Sequence, residues 1–380
     1  MADNNLQVSI VMPCLNEEKT VGWCVQKARH ALSKLGVEGE VIVADNGSID
    51  SSVRQAKENG ARVILVASRG YGSALLAGIK AVKGEWVVMG DSDGTYDFSQ
   101  INRLIAPLES GYDLVVGSRL TGKIKKGAMP VLNRFFGTPT LNLFLRFFYH
   151  LKLTDSQSGM RAFTKKAFAR LKLKTLGMEF ASEMLVRASQ VGLRITEVPI
   201  TYSQRIAPSK LSRFRDAWRH LRFMMIFAPS YLFILPGLLL SVIGGVSLLL
   251  LSSGPVWFLG RAWDVHTQIM ASMLTLLGSQ VLMMGFFAKA FSWTQGFEKE
   301  TLMLASVLRY FQLEKGLLLG FFLFLGGLVI GLVNFFRWAN QSFGVLWAIR
   351  PLILAMTLVV LGIQIIFSSF FLSILGIERK

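Results

Sequence analysis

The sequence predicts two structural classes in one chain: an α/β domain built on a mainly parallel sheet, then an all-α membrane domain of four transmembrane helices. Three observations predict this. Up to about Ala228, short apolar runs alternate with amphipathic helical stretches, the pattern of right-handed βαβ units. Beyond Pro229, apolar segments of about 20 residues dominate, long enough to cross a bilayer. The 380 residues are 52% apolar and 17% charged with a net charge of +17, and the apolar part is concentrated after Pro229, which rules out one ordinary soluble domain.

In chain order, Val8 to Met12 reads as the first strand, and Pro13-Cys14-Leu15-Asn16-Glu17-Glu18 turns out of it into a helix from Thr20 to Leu35. Val41 to Ala44 is a second strand, followed by Asp45-Asn46-Gly47-Ser48-Ile49-Asp50 and a helix from Ser51 to Glu58. A third runs from Val63 to Val66, and Ser68-Arg69-Gly70-Tyr71-Gly72 leads into a helix from Ser73 to Val82. The fourth, Trp86 to Met89, ends in Gly90 and then Asp91-Ser92-Asp93-Gly94. A helix from Phe98 to Leu108, a strand from Leu114 to Val116 and a basic loop with Lys123, Lys125 and Lys126 come next. An apolar helical stretch then runs to Tyr149, and a loop from Asp155 leads to a strand at Phe163. A helix from Glu179 to Val191, a strand from Ile195 to Val198 and Tyr202-Ser203-Gln204-Arg205 complete the domain.

Polar residues collect where the strands end. Asp45, Asp50, Arg69, Asp91 and Asp93 all fall at or just after carboxyl ends, the edge at which open α/β sheets bind ligands. Asp91 and Asp93 offer hard oxygen ligands suited to Mg²⁺ or Mn²⁺ carrying a diphosphate. By spacing alone the pair reads better as a polar turn closed by Gly94 than as a metal site. Cys14 and Cys24 have no metal-ligand spacing and argue against a disulfide framework, which fits a reducing compartment. The first residues, Met1-Ala2-Asp3-Asn4-Asn5, have neither the basic start nor the apolar core of a secretory signal, so the α/β domain is expected in the cytoplasm.

The series Met12-Pro13-Cys14-Leu15-Asn16-Glu17, Asp45-Asn46-Gly47-Ser48-Ile49-Asp50, Asp91-Ser92-Asp93, Gly117-Ser118-Arg119 and Ser158-Gly159-Met160-Arg161-Ala162-Phe163 resembles the family 2 glycosyltransferases of the Rossmann-like GT-A fold. Within them it is most similar to the polyprenyl-phosphate branch, the dolichyl-phosphate mannose and glucose synthases. The likeness covers about residues 6 to 210 in motif order, and the membrane part in general plan.

The resemblance implies a nucleotide-sugar donor held by Pro13, Asn16, Glu17 and Asp45, with Arg69, Arg205 and Lys210 toward its diphosphate. Asn46 stands where a second acid is common. The acidic pair becomes the site of Mg²⁺ or Mn²⁺, with Asp93 the direct ligand and Asp91 closer to sugar and ribose. Thr95 stands where mannose synthases carry a glutamine that helps hold the metal. The implied acceptor is a polyprenyl phosphate, whose monoester, with a second pKa of about 6, attacks without a protein base. Arg119 and Arg134 match the acceptor-phosphate arginines; Arg161 is a third candidate or the partner of an acid. Glu179 and Glu183 share a helical face that can meet a sugar or only solvent. The reaction implied is inverting hexose transfer, with UDP-glucose favoured over GDP-mannose or a UDP-amino sugar.

The domain limits read as 1–210 for the catalytic domain, 211–228 for an amphipathic interfacial helix and 229–380 for the membrane domain. Arg213, Arg215, Arg219 and Arg222 interleave with Phe214, Trp218, Leu221 and Phe223, which suits anionic lipid headgroups rather than nucleic acid. Four spans are expected at about 230–251, 269–291, 316–336 and 352–374, and the even number returns the C-terminus to the cytoplasmic side. Arg309, Lys315, Arg379 and Lys380 on that side agree, against Arg261, Arg337 and Arg350 on the other. Glycines such as those of Pro236-Gly237 and Gly326-Gly327 permit close helix packing, and with it homo-oligomers, without requiring either. A processive polysaccharide synthase is the rival enzyme reading, but the lone Arg-Trp, Arg337-Trp338, falls in an expected outside loop. A dead transferase acting as a scaffold would fit loss of the acidic pair, and both acids are present.

Overall fold

A computed structural model describes residues 7–206, 230–294, 313–344 and 348–377. The chain divides into two compact units, Met1–Met224 and Met225–Lys380.

The first unit is organised by a seven-stranded sheet in the order β3-β2-β1-β4-β6-β5-β7. β1 (Val8–Cys14), β2 (Gly39–Asp45) and β4 (Trp86–Met89) are mainly apolar because helices cover both faces, and β1 pairs in parallel with each of the other two. β3 (Arg62–Leu65) extends this parallel half. β6 (Arg161–Thr164) alone runs against its neighbours, between β4 and β5 (Leu114–Ile124). β5 pairs in parallel with β7 (Ile195–Tyr202) through a bulge between Ser118 and Lys123. The expected basic loop therefore begins as strand: Lys123 pairs with Thr201, because the edge strand β7 continues alongside.

Helix α1 (Val21–Leu35) buries Val21, Cys24, Val25, Ala28, Ala31 and Leu32, one face at helical spacing, and Gly36 closes it at φ +68°. α2 (Ser52–Glu58), α3 (Tyr71–Lys80), α4 (Ile101–Glu109), α5 (Thr138–Tyr149) and α7 (Phe180–Gln190) lie within a few residues of their expected limits. α6 (Lys165–Leu171) was not anticipated; Thr164 caps it by accepting the Ala167 N–H at 3.1 Å. Cys14 and Cys24 are buried free thiols that burial pushes up, to about 11 and about 12, so both stay protonated at neutral pH.

Among the described residues the second unit holds four apolar helices: Ser230–Ser252, Val265–Thr294, Leu313–Asn340 and Ile349–Leu375, here spans 1 to 4. Gly237 and Gly244 let span 1 approach the backbone of span 2 at Leu282 and Thr275, and Gly327 does the same for span 3 against Ala355 and Val359. Spans 2 and 4 share a polar seam, Ser272 to Thr357 at 2.7 Å and Ser279 to Gln364 at 3.1 Å. Between spans 1 and 2 the structure adds a small hairpin, β8 (Val256–Phe258) and β9 (Arg261–Trp263), turning through Leu259 and Gly260, both at positive φ.

Candidate active site

The acids gather where β1, β2 and β4 end, at the point from which strand order runs outward both ways. From Met89 the chain passes through Gly90 to the acidic pair. Asp91 Oδ1 accepts the Tyr71 hydroxyl at 3.0 Å. A Cβ on Gly159 would stand 3.1 Å from Asp91 Oδ2, so this glycine leaves that wall of the site bare. Asp93 Oδ1 accepts both the N–H and the hydroxyl of Thr95, at 3.0 and 2.6 Å. Asp93 Oδ2 lies 3.3 Å from Arg205 Nε, and Arg205 Nη2 donates to Glu17 Oε1. Arg205 reaches the pair because the chain after β7 runs beside the loop after β4: Tyr202 bridges Tyr96, and the Ser203 N–H meets the Thr95 carbonyl at 2.8 Å.

Burial, then the neighbouring Asp93 charge, raises Asp91 to about 7. Asp93 and Glu17 share the guanidinium of Arg205, and Asp91 adds a third carboxyl to an acid-rich cluster to which a divalent cation is well suited. Among the described residues no group of three or more His, Cys, Asp and Glu side chains could hold a metal by itself. Two carboxylates nevertheless fit Mg²⁺ or Mn²⁺ that takes its other oxygens from phosphate and water. Thr95 spends its hydroxyl orienting Asp93 rather than facing a metal.

The loops after β1 and β2 are stitched together. Asn16, at φ +52°, accepts the Ile49 N–H at 2.8 Å and donates its own N–H to Ser48 Oγ at 2.8 Å. The Glu17 N–H donates to Ser52 Oγ at 2.7 Å. The Pro13 carbonyl accepts the Ser92 hydroxyl at 2.7 Å, tying β1 to the acidic loop. Asp45 Oδ2 accepts the N–H groups of Gly47 and Ser48, both at 3.1 Å, while its Oδ1 is buried with no partner. Asn46, set aside in the sequence, joins the ends of β2 and β3: it accepts the Gly70 N–H at 2.6 Å and donates to the Ser68 carbonyl at 2.8 Å. Arg69 is exposed beside it. The first amides of α3 are not free for an anion, since Gly72 and Ser73 donate to the Gly177 and Leu176 carbonyls at 3.2 and 3.1 Å.

Of the three arginines assigned to the acceptor, the structure separates the roles. Arg119 grips Asp155 with Nε and Nη2 at 2.7 and 2.8 Å and lies over the Tyr202 ring. Burial works against its charge, but the Tyr96 and Asp155 oxygens facing it hold the guanidinium protonated above its ordinary range. Arg134 is exposed on the turn Asn133–Gly137, with Val131, Leu132, Phe135 and Phe136 exposed around it. Arg161 is a correction: it has no exposed surface, and its guanidinium donates to the carbonyls of Ser156, Ser158 and Ala181. The fold spends this arginine on three carbonyls of the turns around it, which no short motif reveals.

Glu183 is likewise internal, accepting N–H groups of Lys174 and Thr175 at 3.1 and 2.9 Å, so it holds the 172–177 loop rather than a sugar. Lys210 and the whole of the expected interfacial helix, 211–228, lie outside the described residues. Tyr71, Tyr96, Asp155 and Glu197 were not singled out in the sequence. Tyr96 accepts the Gly159 N–H at 2.7 Å, and Glu197 accepts the Thr154 and Asp155 N–H groups at 2.7 and 2.9 Å. These contacts span tens of residues, and no local pattern carries them.

Fold and site together define a membrane enzyme: an α/β domain with an acid-lined strand edge, followed by four apolar helices. Residues 9–172 match the Glycosyl transferase family 2 model and residues 286–376 the Glycosyltransferase family 2 C-terminal transmembrane region. The low-salt glycan biosynthesis hexosyltransferase Agl6 of Haloferax volcanii is 40% identical over 97% of this chain and 89% of its own. A dolichyl-phosphate hexose transferase of the same organism is 32% identical over 54% of this chain and 87% of its own. An undecaprenyl-phosphate 4-deoxy-4-formamido-L-arabinose transferase of Salmonella paratyphi B is 26% identical over 74% and 87%. The chain belongs to glycosyltransferase family 2. It is a glycosyltransferase whose GT-A-like domain precedes a C-terminal region of four candidate transmembrane helices.

Proposed function

We propose that the enzyme transfers a hexose, with inversion, from a nucleotide sugar to the phosphate of a membrane polyprenyl phosphate. The observation that carries this reading is the acid cluster at the ends of β1, β2 and β4, with Arg205 laid across Glu17 and Asp93. Its place in a chain with four apolar spans, and two relatives named as polyprenyl-phosphate sugar transferases, support a lipid acceptor.

The loops holding Pro13, Asn16, Glu17 and Asp45 receive the nucleotide, and the orphaned Asp45 Oδ1 is an acceptor ready for a base or ribose donor group. Asp93, with Asp91, holds Mg²⁺ or Mn²⁺, which would draw charge from the donor diphosphate. Arg205, with Arg69 and Lys210, provides further positive charge for that group as it departs. An ionised oxygen of the acceptor phosphate attacks the anomeric carbon while the bond to the donor's diphosphate oxygen breaks, its electron pair leaving on the nucleoside diphosphate. One displacement inverts the centre and needs no protein base.

Arg134 receives the acceptor phosphate, and the exposed apolar side chains around it suit a lipid chain. Arg119 is neutralised by Asp155 and acts mainly by holding that loop. The catalytic domain and both termini face the cytoplasm, where nucleotide sugars are made; the even number of spans among the described residues supports this. UDP-glucose is the favoured donor. Incubating membranes with labelled UDP- and GDP-sugars and polyprenyl phosphate, then extracting with organic solvent, tests the reading. UDP-glucose label is expected in the lipid phase as a monosaccharide; polymer product, or no labelled lipid from any donor, would overturn it.

A further inference from the structure

Spans 1 and 2 run antiparallel in a close register. Cβ atoms built on Gly237, Gly278 and Gly285 would meet the backbone of Leu282, Ser241 and Ile234 at 2.5, 2.3 and 3.1 Å. One turn further along this register, Ser230 of span 1 stands beside Lys289 of span 2, and Lys289 Nζ donates to Ser230 Oγ at 2.8 Å. Lys289 is only 7% exposed, in a region where Ile234, Phe286, Ala290 and Leu372 are also buried. A lysine that merely reached out to headgroups would lie on the outer surface of the bundle. This one is enclosed between helices.

An ammonium has three donors, and one is used here. No carboxylate among the described residues pairs with it, and an ionisable group enclosed in a membrane bundle is costly unless a counter-charge is bound. Ser230 accepts from the lysine and retains its own hydroxyl proton. Two N–H groups and one O–H are thus left for a single anion with several oxygens.

We propose that Lys289 and Ser230 bind the phosphate headgroup of a membrane lipid at the end of the bundle where span 1 begins. The phosphodiester of an anionic phospholipid and the monoester of a polyprenyl phosphate share the chemistry this pair recognises. None of the donor and acceptor residues assigned above lies in the spans.

The test is native mass spectrometry of the full chain in detergent, titrated with phosphatidylglycerol, polyprenyl phosphate or uncharged diacylglycerol. Wild type is expected to hold at least one of the phosphate lipids about tenfold more tightly than Lys289→Gln, the effect of losing a charged hydrogen-bond donor. Lys289→Arg should retain that lipid, and diacylglycerol should not distinguish the variants. Which phosphate lipid shows the difference identifies the source. Equal binding of both phosphate lipids by Lys289→Gln and wild type would overturn the site. Should Lys289→Gln fail to fold, Ser230→Ala is read in the same way: severalfold weaker binding supports the site, and unchanged binding overturns it.

Discussion

Thr95 gives both its N–H and its hydroxyl to one oxygen of Asp93, at 3.0 and 2.6 Å, and so fixes the plane of that carboxylate, whose second oxygen lies 3.3 Å from Arg205 Nε. Thr95→Val keeps the shape and removes one bond. We expect transfer to need more Mn²⁺ or Mg²⁺ and to slow by about tenfold, in line with a charged hydrogen bond. Thr95→Ser should restore the cation dependence, which titrating metal into the transfer assay measures.

Asp91 predicts an opposed effect of pH on stability and on metal binding. Burial and Asp93 raise it to about 7, above its value in the unfolded chain, so the folded protein holds this proton more tightly. Its contribution favours folding at low pH and is lost as pH rises through about 7. In chelator, the melting temperature of the full chain should therefore fall across that range, and Asp91→Asn should flatten the fall while abolishing transfer. A bound cation must displace the same proton, so metal affinity should weaken as pH drops below about 7. Melting curves with and without Mn²⁺ measure both.

Arg134 and Arg161 should fail differently. Arg134 is exposed, so Arg134→Ala should raise the KM for polyprenyl phosphate about tenfold or more while leaving the melting temperature unchanged. Arg161→Leu strands three carbonyls and should cost about 3 kcal/mol or more of stability. Lipid-acceptor kinetics beside thermal melts separate the two.

Gly72 carries a prediction about the donor side. A Cβ there would stand 2.6 Å from the Thr175 carbonyl, backbone that cannot swing aside. Gly72→Ala should push the 172–177 loop off the start of α3, destabilising the protein by about 1–3 kcal/mol. Faster amide exchange in residues 172–177 would report the displacement.

The parallel half of the sheet was legible because it is written locally: β1, β2 and β4 are buried on both faces, so each reads as a mainly apolar run ending in a polar turn. β4 is observed at the limits read for it, Trp86–Met89. Lys123 misled because its strand character comes from pairing with β7, some eighty positions later, and not from its neighbours. Arg161 misled for a related reason. Its motif identifies an arginine at the start of a strand but not the three carbonyls that close around it.

By itself, then, the sequence determined the two-part plan, the four spans and the family, since apolar period, span length and motif order are properties of contiguous residues. Only the tertiary structure decided which charges meet. Arg205 reaches Glu17 and Asp93 because strand order carries the end of β7 past Thr95 and Tyr96, and Asp155 claims Arg119 because Glu197 on β7 holds its loop. Such pairings depend on packing between segments far apart in the chain, where the free energy of a buried charge selects one partner among several of the same sign.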